Sequence, residues 1–115
     1  MSTAPNAPVM TAASRAVRDV LAERVRQVAK GHTAAHDDTH TGGELADAAA
    51  CMALLANDWH GEARFFWPFV ERPAEKSPRD CLVAATAMLL ADIERRDRAE
   101  ASRGPAPAAN GAAHG

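Results

Sequence analysis

Apolar residues recur three and four positions apart in three separate segments of this chain, a spacing typical of amphipathic α-helices. Lys30 and Gly31 end the first segment, because a cation suits the last helical turn and glycine can adopt a left-handed backbone. We therefore expect a helix over residues 12–30 that buries one apolar stripe in the core. The stripe comprises Val17, Val20, Leu21, Val25 and Val28.

The second segment begins at Thr41, whose hydroxyl is placed to cap a helix while Glu44 reaches back to the same helix end. Asn57 and Asp58 end this helix. Small side chains on its apolar face predict that another helix approaches closely. That face comprises Leu45, Ala48, Ala49, Met52, Leu55 and Ala56.

The third segment has the clearest start, with Ser77 as the cap, Pro78 at the first helical position and Asp80 in the first turn. Its expected apolar face comprises Leu82, Ala85, Leu89, Leu90 and Ile93. Two ion pairs four residues apart are expected on its solvent side, Asp92–Arg96 and Glu94–Arg98. Together the three segments predict an all-α fold, a small three-helix bundle.

All the Phe and Trp residues of the chain lie between residues 59 and 69. Pro68 and Pro73 exclude a long helix there, although a fourth short helix near residues 62–66 fits the sequence. In one interpretation the aromatic side chains seal the open end of the bundle. In another they form a wall on which a flat ligand stacks. The side chains concerned are Phe65, Phe66, Trp67 and Phe69.

The chain has 115 residues, the size of one domain. Residues 1–10 and 102–115 are rich in Ala, Pro, Gly and Asn without apolar periodicity, so we expect disordered tails there. The helical domain is then residues 11–101. A domain of this size is near the lower limit for independent stability, and a homodimer that buries more apolar surface is consistent with it.

Composition argues against several classes of partner. The net charge is −2 with acids and bases interspersed, so there is no basic stripe for nucleic acid. No apolar run approaches the roughly 20 residues that span a bilayer, and no secretory signal precedes the first helix. We therefore expect a cytoplasmic protein in which Cys51 and Cys81 are reduced thiols packed as small apolar residues.

Residues 32–43 connect the first two helices and concentrate histidine and aspartate. Extra loop length with polar chemistry is typical of functional loops, since connections between packed helices commonly take about 2–8 residues. His36, Asp38 and His40 offer the imidazole and carboxylate ligands that a divalent metal such as zinc, manganese, nickel or iron accepts. A structural interpretation is also open, because Asp37 and Asp38 can fold the loop through Asx turns.

A third interpretation is that this loop binds an organic ligand. Histidines and the backbone N–H groups of residues 41–43 could receive a phosphate, while Asp37 or Asp38 accepts hydrogen bonds from a ribose or a base. The candidate ligand-binding residues come from the loop and the aromatic segment. They are His32, His36, Asp37, Asp38, His40, Trp59 and Trp67.

Several stretches of the chain occur in an order that resembles a group of small phage and prophage proteins. They are Ala-Glu-Arg-Val-Arg-Gln (22–27), Thr-Ala-Ala-His-Asp-Asp-Thr-His (33–40), Gly-Glu-Leu-Ala (43–46), Trp-Pro-Phe (67–69), Arg-Asp-Cys-Leu-Val (79–83) and Asp-Ile-Glu-Arg (92–95). The resemblance covers about residues 15–98. The chain departs from the group at Gly31-His32, where Gly-Trp is usual, and it lacks much of a tryptophan-rich stretch. The resemblance implies a phage setting rather than a reaction.

Gly31, Thr33 and Pro68-Phe69, with the charged helix that follows, are similar to the ryanodine-receptor repeat domain. That module joins two helical halves through a Gly-Trp-Thr-like turn and an aromatic-Pro-aromatic segment. Its bacterial versions are thought to sense nucleotide-derived ligands, so the similarity implies a ligand of that class.

The first hypothesis is that the chain is a non-enzymatic, phage-type protein that binds a nucleotide-derived or phosphate-bearing small molecule. Such a protein would sequester a host defence signal. The second hypothesis is a metal-dependent all-α nucleotide pyrophosphohydrolase, whose Glu-x-x-Asp motif Glu44 and Asp47 resemble. Glu23 lacks a second carboxylate three or four residues later, which leaves too few oxygen ligands for Mg²⁺. The third is a protein-interaction module whose aromatic segment faces a partner.

Overall fold

The computed structural model describes residues 13–104, and within that range it has five helices and no strand. They are α1 (Arg15–Ala29), α2 (Ala34–Asp37), α3 (Glu44–Ala56), α4 (His60–Phe66) and α5 (Pro78–Ser102). The predicted all-α fold is confirmed, with three long helices and two short ones. The predicted tails fall outside the described residues, apart from residues 102–104.

Two serines start the first and last helices. The Ser14 hydroxyl accepts a hydrogen bond from the Val17 N–H at 3.2 Å, and Ser77 does the same for Asp80 at 3.2 Å. Pro78 is the first helical residue of α5. The start predicted at Ser77 is confirmed, and α1 begins at Arg15 rather than at residue 12 because Ser14 caps it.

The start predicted for α3 at Thr41 is wrong. The N-cap of this helix is Gly43, whose φ of +92° lies in the left-handed region, and the first helical residue is Glu44. The Glu44 carboxylate does reach back, but it accepts the N–H of Gly42 at 2.8 Å. The chain enters the helix through the left-handed turn that glycine allows, so the hydroxyl of Thr41 is not the cap.

Helix α5 is central, since α1, α2 and α3 all pack against it, and α3 also packs against α4. The core between α3 and α5 is built from small side chains, so these two helices approach closely. Trp67 and Met88 pack against its edge. Cys51 and Cys81 are free, buried thiols, as expected. The buried cluster is Ala49, Met52, Cys81, Ala84 and Ala85.

The apolar stripe of α1, which was expected to be buried in the core, is largely exposed. Glu23 is the one buried residue of this helix, and Leu21 and Val25 are 51% and 70% exposed. The reason is that α1 meets α5 through polar contacts, such as Arg79 to Asp19 at 2.9 Å. The face expected for α5 is also shifted, because α5 turns its alanines toward α3. Leu82, Leu89 and Ile93 remain exposed.

The interpretation that four aromatic side chains seal the bundle is wrong for two of them. Phe65 is 88% exposed and Phe66 is 44% exposed, because α4 presents Ala63 to the interior instead. Trp67 and Phe69 are partly buried. No helix among residues 13–104 has the length and apolar character needed to cross a membrane.

Of the two ion pairs predicted on α5, one is present. Arg96 donates to the Asp92 carboxylate at 2.9 Å. The Glu94–Arg98 pair is wrong, because each side chain has a partner on another element: Arg24 for Glu94 and Asp38 for Arg98.

Candidate ligand-binding cavity

A cavity of about 390 Å³ lies where α1, the loop after it, α3, residues 67–71 and α5 meet. The loop contributes the rings of His32, His36 and His40 to its wall. Trp67 and Phe69 contribute the facing aromatic rings. Pockets for small molecules commonly have volumes of about 300–1,000 Å³, so this cavity is large enough for one.

Five rings form a continuous row along the cavity wall. Ring centroids are 5.5 Å apart for His32 and His36, and 4.9 Å apart for His36 and His40. The row continues from His40 to Phe69 at 5.3 Å and from Phe69 to Trp67 at 5.3 Å. Neighbouring rings are tilted or edge-on, the arrangements that aromatic pairs favour.

The histidines share one side because they are four residues apart and the chain makes one helical turn between them. Thr33 caps this turn, α2, by accepting the His36 N–H at 3.3 Å. The His40 N–H then donates to the Asp37 carbonyl at 3.0 Å, which continues the turn beyond the end of α2. Side chains four apart on a helical turn are neighbours, so the rings follow one another along the cavity wall.

Asp37 anchors the loop to α1. Its side chain is 1% exposed, and it accepts a hydrogen bond from Arg24 Nη2 at 3.0 Å. Arg24 Nη1 also donates to the carbonyl of His32 at 3.2 Å. The buried guanidinium therefore holds both ends of the α2 turn. Asp37 touches the cavity wall, but its carboxylate is already paired.

Asp38 anchors the same turn to α5. Its Oδ1 accepts hydrogen bonds from Arg98 Nη2 at 2.7 Å and Nε at 3.1 Å. The same Arg98 Nη2 donates to the carbonyl of Ala34 at 3.3 Å. The hydrogen bonds that Arg98 donates to the Asp38 carboxylate raise the pKa of Arg98 above its ordinary value. Two arginines, one from each neighbouring long helix, thus fix the turn that carries the histidines.

The structure brings five of the seven candidate ligand-binding residues to the cavity and leaves two outside it. The five are His32, His36, Asp37, His40 and Trp67. Asp38 lies on the other side of the turn, in a smaller depression beside Arg95 and Arg98. Trp59 precedes α4, is 54% exposed and does not line the cavity.

This arrangement does not bring His36, Asp38 and His40 together as ligands of a metal ion. The carboxylate of Asp38 is turned to Arg98, away from His36 and His40. Within residues 13–104, no group of three or more His, Cys, Asp or Glu side chains is placed to hold a metal ion.

The phosphate subsite considered at residues 41–43 is already filled by a carboxylate. Glu44 accepts hydrogen bonds from the backbone N–H groups of Glu44 itself and of Gly42, and these lower the pKa of Glu44 below its ordinary value. The carboxylate is therefore charged at neutral pH and would repel an anion. This helix start is a poor place for a phosphate.

Sequence reasoning missed the part of the cavity that the long helices supply. Gln27 of α1, Leu45 of α3, and Met88 and Ala91 of α5 line it. Leu45 and Gln27 sit at helical positions beside the loop, but nothing in their local sequence distinguishes them from other helix residues. Phe69 was recognised as aromatic but was not among the candidates. Its place in the row depends on the backbone after Pro68.

No protein-family model, no curated protein and no solved structure matches this chain.

Proposed function

We propose that this chain is a small, non-enzymatic binding protein that holds a nucleotide-derived molecule in the cavity. The row of five rings carries this proposal. Stacking on an aromatic ring stabilises a bound base by about 1–3 kcal/mol, and every base has a flat face to offer. The partly buried rings of His40, Trp67 and Phe69 line the deeper part of the row.

The polar groups of the cavity suit a heteroaromatic ring. The side-chain amide of Gln27 donates through Nε2 to the Glu23 carboxylate at 3.2 Å. The Oε1 atom of the same amide is the group that can accept a hydrogen bond from a ligand. Imidazole nitrogens both donate and accept hydrogen bonds. Polar groups set among apolar and aromatic walls are usual in a small-molecule site, and here they come from Gln27, the three histidines, Asp37 and Glu71.

A phosphate on the ligand would lie at the open rim. Among the described residues no lysine or arginine lines the cavity, so histidine is the lining side chain there that can carry a positive charge. His32 and His36 are the exposed members of the row. We therefore infer that the base enters first and that any phosphate stays beside these two rings.

The resemblance to small phage proteins supports a setting in the cytoplasm of a bacterial host. A protein that binds a nucleotide-derived signal without converting it would lower the free concentration of that signal. Sequestration of a host defence signal is the role that fits both the cavity and this resemblance.

The pyrophosphohydrolase hypothesis has weaker support. Such chemistry needs several carboxylates around Mg²⁺. Glu23 is buried and paired with Arg26 and Gln27, and the Glu44 carboxylate is bound to the N–H of Gly42. These side chains are therefore engaged in local contacts.

Binding of adenosine, AMP, ADP, ADP-ribose and cyclic dinucleotides, measured by isothermal titration calorimetry, tests the proposal. We expect at least one of them to bind, and His36→Ala and His40→Ala to weaken that binding by about 5- to 150-fold, the equivalent of one lost stacking contact. His60→Ala is the matched control, because His60 is 67% exposed on α4 and lies outside the cavity.

Two results would contradict this function. One is unchanged affinity in both His36→Ala and His40→Ala. The other is conversion of the bound nucleotide, followed by chromatography in the presence of Mg²⁺, which would favour the enzyme.

A further inference from the structure

An apolar stripe on α1 has no packing partner among residues 13–104. Val17, Leu21, Val25 and Val28 are 49%, 51%, 70% and 40% exposed. They recur at intervals of three and four, so they form one continuous line on the helix surface. Helix α1 instead uses its polar side, including Asp19 and the partly buried Arg24, to contact α5.

Helix α5 carries a second stripe of the same kind. Leu82, Leu89 and Ile93 are 49%, 45% and 56% exposed, and they too are seven and four residues apart. On the other sides of α5, the alanines face α3 and the charged residues Arg79 and Glu94 reach α1.

The two stripes lie on the same side of the helix pair. Arg79, near the start of α5, contacts Asp19 near the start of α1, and Glu94, further along α5, contacts Arg24 further along α1. The helices therefore run in the same direction. With 3.6 residues per turn, both stripes then fall on the same side of the plane that contains the two axes.

The core of the single chain lacks large aliphatic side chains. Of the eleven buried hydrophobic residues in the part of the chain that the structure describes, seven are alanine and two are cysteine, and Leu45 and Met52 are the two larger ones. The chain thus keeps small residues inside and places seven half-exposed aliphatic side chains on one outer face. Contiguous exposed apolar surface of this kind is characteristic of interaction sites.

We propose that this face, formed by Val17, Leu21, Val25, Val28, Leu82, Leu89 and Ile93, joins two copies of the chain. Arg18 and Arg96 border the stripes at helical spacing from Leu21 and Ile93, so a second copy would meet an apolar strip with a charged rim through a two-fold contact. None of the seven residues of the face lines the cavity.

The area is close to the lower limit for a specific dimer. Helix α1 has 15 residues, so it is about 22 Å long, and two adjacent helices are about 20 Å wide. The flat area is about 450 Å² on each copy and about 900 Å² for the pair. Specific interfaces exceed roughly 1,000 Å², so a dimer formed by this face alone is expected to be weak.

Sedimentation equilibrium of the full chain tests the proposal. We expect about twice the monomer mass of 12.1 kDa for the native protein, and the monomer mass for Leu21→Glu and Ile93→Glu. Each glutamate places a charge at a position that is half exposed in a single copy, so the helical fold is retained. Helical circular dichroism checks this, and Val25→Glu, at the most exposed position of the face, replaces a variant that fails to fold.

Phe65→Glu is the matched control, because Phe65 is 88% exposed on α4, away from the face, and this variant should remain dimeric. A native protein that sediments as a monomer at 100 µM, roughly the upper range of weak specific contacts, would overturn the proposal. So would a dimer that survives Leu21→Glu and Ile93→Glu but dissociates in Phe65→Glu.

Discussion

The most consequential single contact near the cavity is the pair between Arg24 and Asp37. The Arg24 side chain is 12% exposed and that of Asp37 is 1% exposed, and Arg24 Nε has no hydrogen-bond partner within residues 13–104. Glu94 approaches the same guanidinium at 3.5 Å, so two carboxylates compensate the positive charge of Arg24. Even so, removal of one partner from a buried pair leaves an uncompensated charge, which commonly costs about 3–5 kcal/mol.

Asp37→Ala should therefore lower the free energy of unfolding by about 3 kcal/mol, at the lower end of that range because Glu94 remains. Asp38→Ala is the comparison, since its pair with Arg98 is half exposed and such pairs contribute about 0–1 kcal/mol. Urea denaturation of the two variants measures the difference. Equal losses would show that the Arg24–Asp37 pair has no special role in holding the loop.

At the scale of helices, the sequence patterns correctly predicted the three long helices. Ser77 and Pro78 marked the start of α5 because capping depends on residues adjacent in the chain. The short helix α2 was missed, since four residues carry no periodic signal. The stripe of α1 was assigned to the core because periodicity identifies an apolar face but does not say what covers it.

The left-handed entry into α3 gives a prediction at this scale. Gly43 has φ of +92°, and a Cβ there would meet nothing closer than Asp47 Oδ2 at 4.0 Å. Gly43→Ala should therefore cost about 1–2 kcal/mol through backbone strain alone, without a clash. Gly61 in α4 has open space around a Cβ and no positive φ, so Gly61→Ala should stabilise by up to about 1 kcal/mol.

Thermal denaturation followed by circular dichroism measures both glycine variants. Opposite signs are the expected outcome. A Gly43→Ala protein as stable as the native one would mean that the backbone enters α3 without the left-handed turn.

At the scale of the whole molecule, the cavity was only half predictable. The four-residue spacing of His32, His36 and His40 and the position of Trp67 are visible in the sequence, because they depend on one local turn and one aromatic segment. Gln27 and Met88 reach the same cavity from helices far apart in the chain, so their role depends on how α1 and α3 pack on α5. Asp37 and Asp38 were assigned to ligand or metal because sequence does not reveal that Arg24 and Arg98 already pair with them.

Global stability should fall in alkaline solution through the two buried thiols. Burial raises the pKa of Cys51, with a smaller effect from Cys81, and burial also raises the pKa of Cys81. Each thiol contributes stability that is fully present below its pKa of 9.0 in the unfolded chain and is lost as the pH rises through its higher pKa in the folded chain. The reason is that, between these two pKa values, the unfolded chain releases a proton that the folded chain retains. The chain has no tyrosine, which would titrate in the same range.

Urea denaturation at pH 7.5 and pH 10 measures this loss. The double variant Cys51→Ala, Cys81→Ala is the control, and it should lose less stability between the two pH values.

The burial of both thiols also predicts that iodoacetamide labels the native protein slowly at pH 8 and the urea-unfolded protein quickly, because the thiolate is the reactive form. Mass spectrometry measures the labelling. Rapid labelling of the folded protein, or the same pH dependence in the double variant, would contradict the assignment of this alkaline sensitivity to the core between α3 and α5.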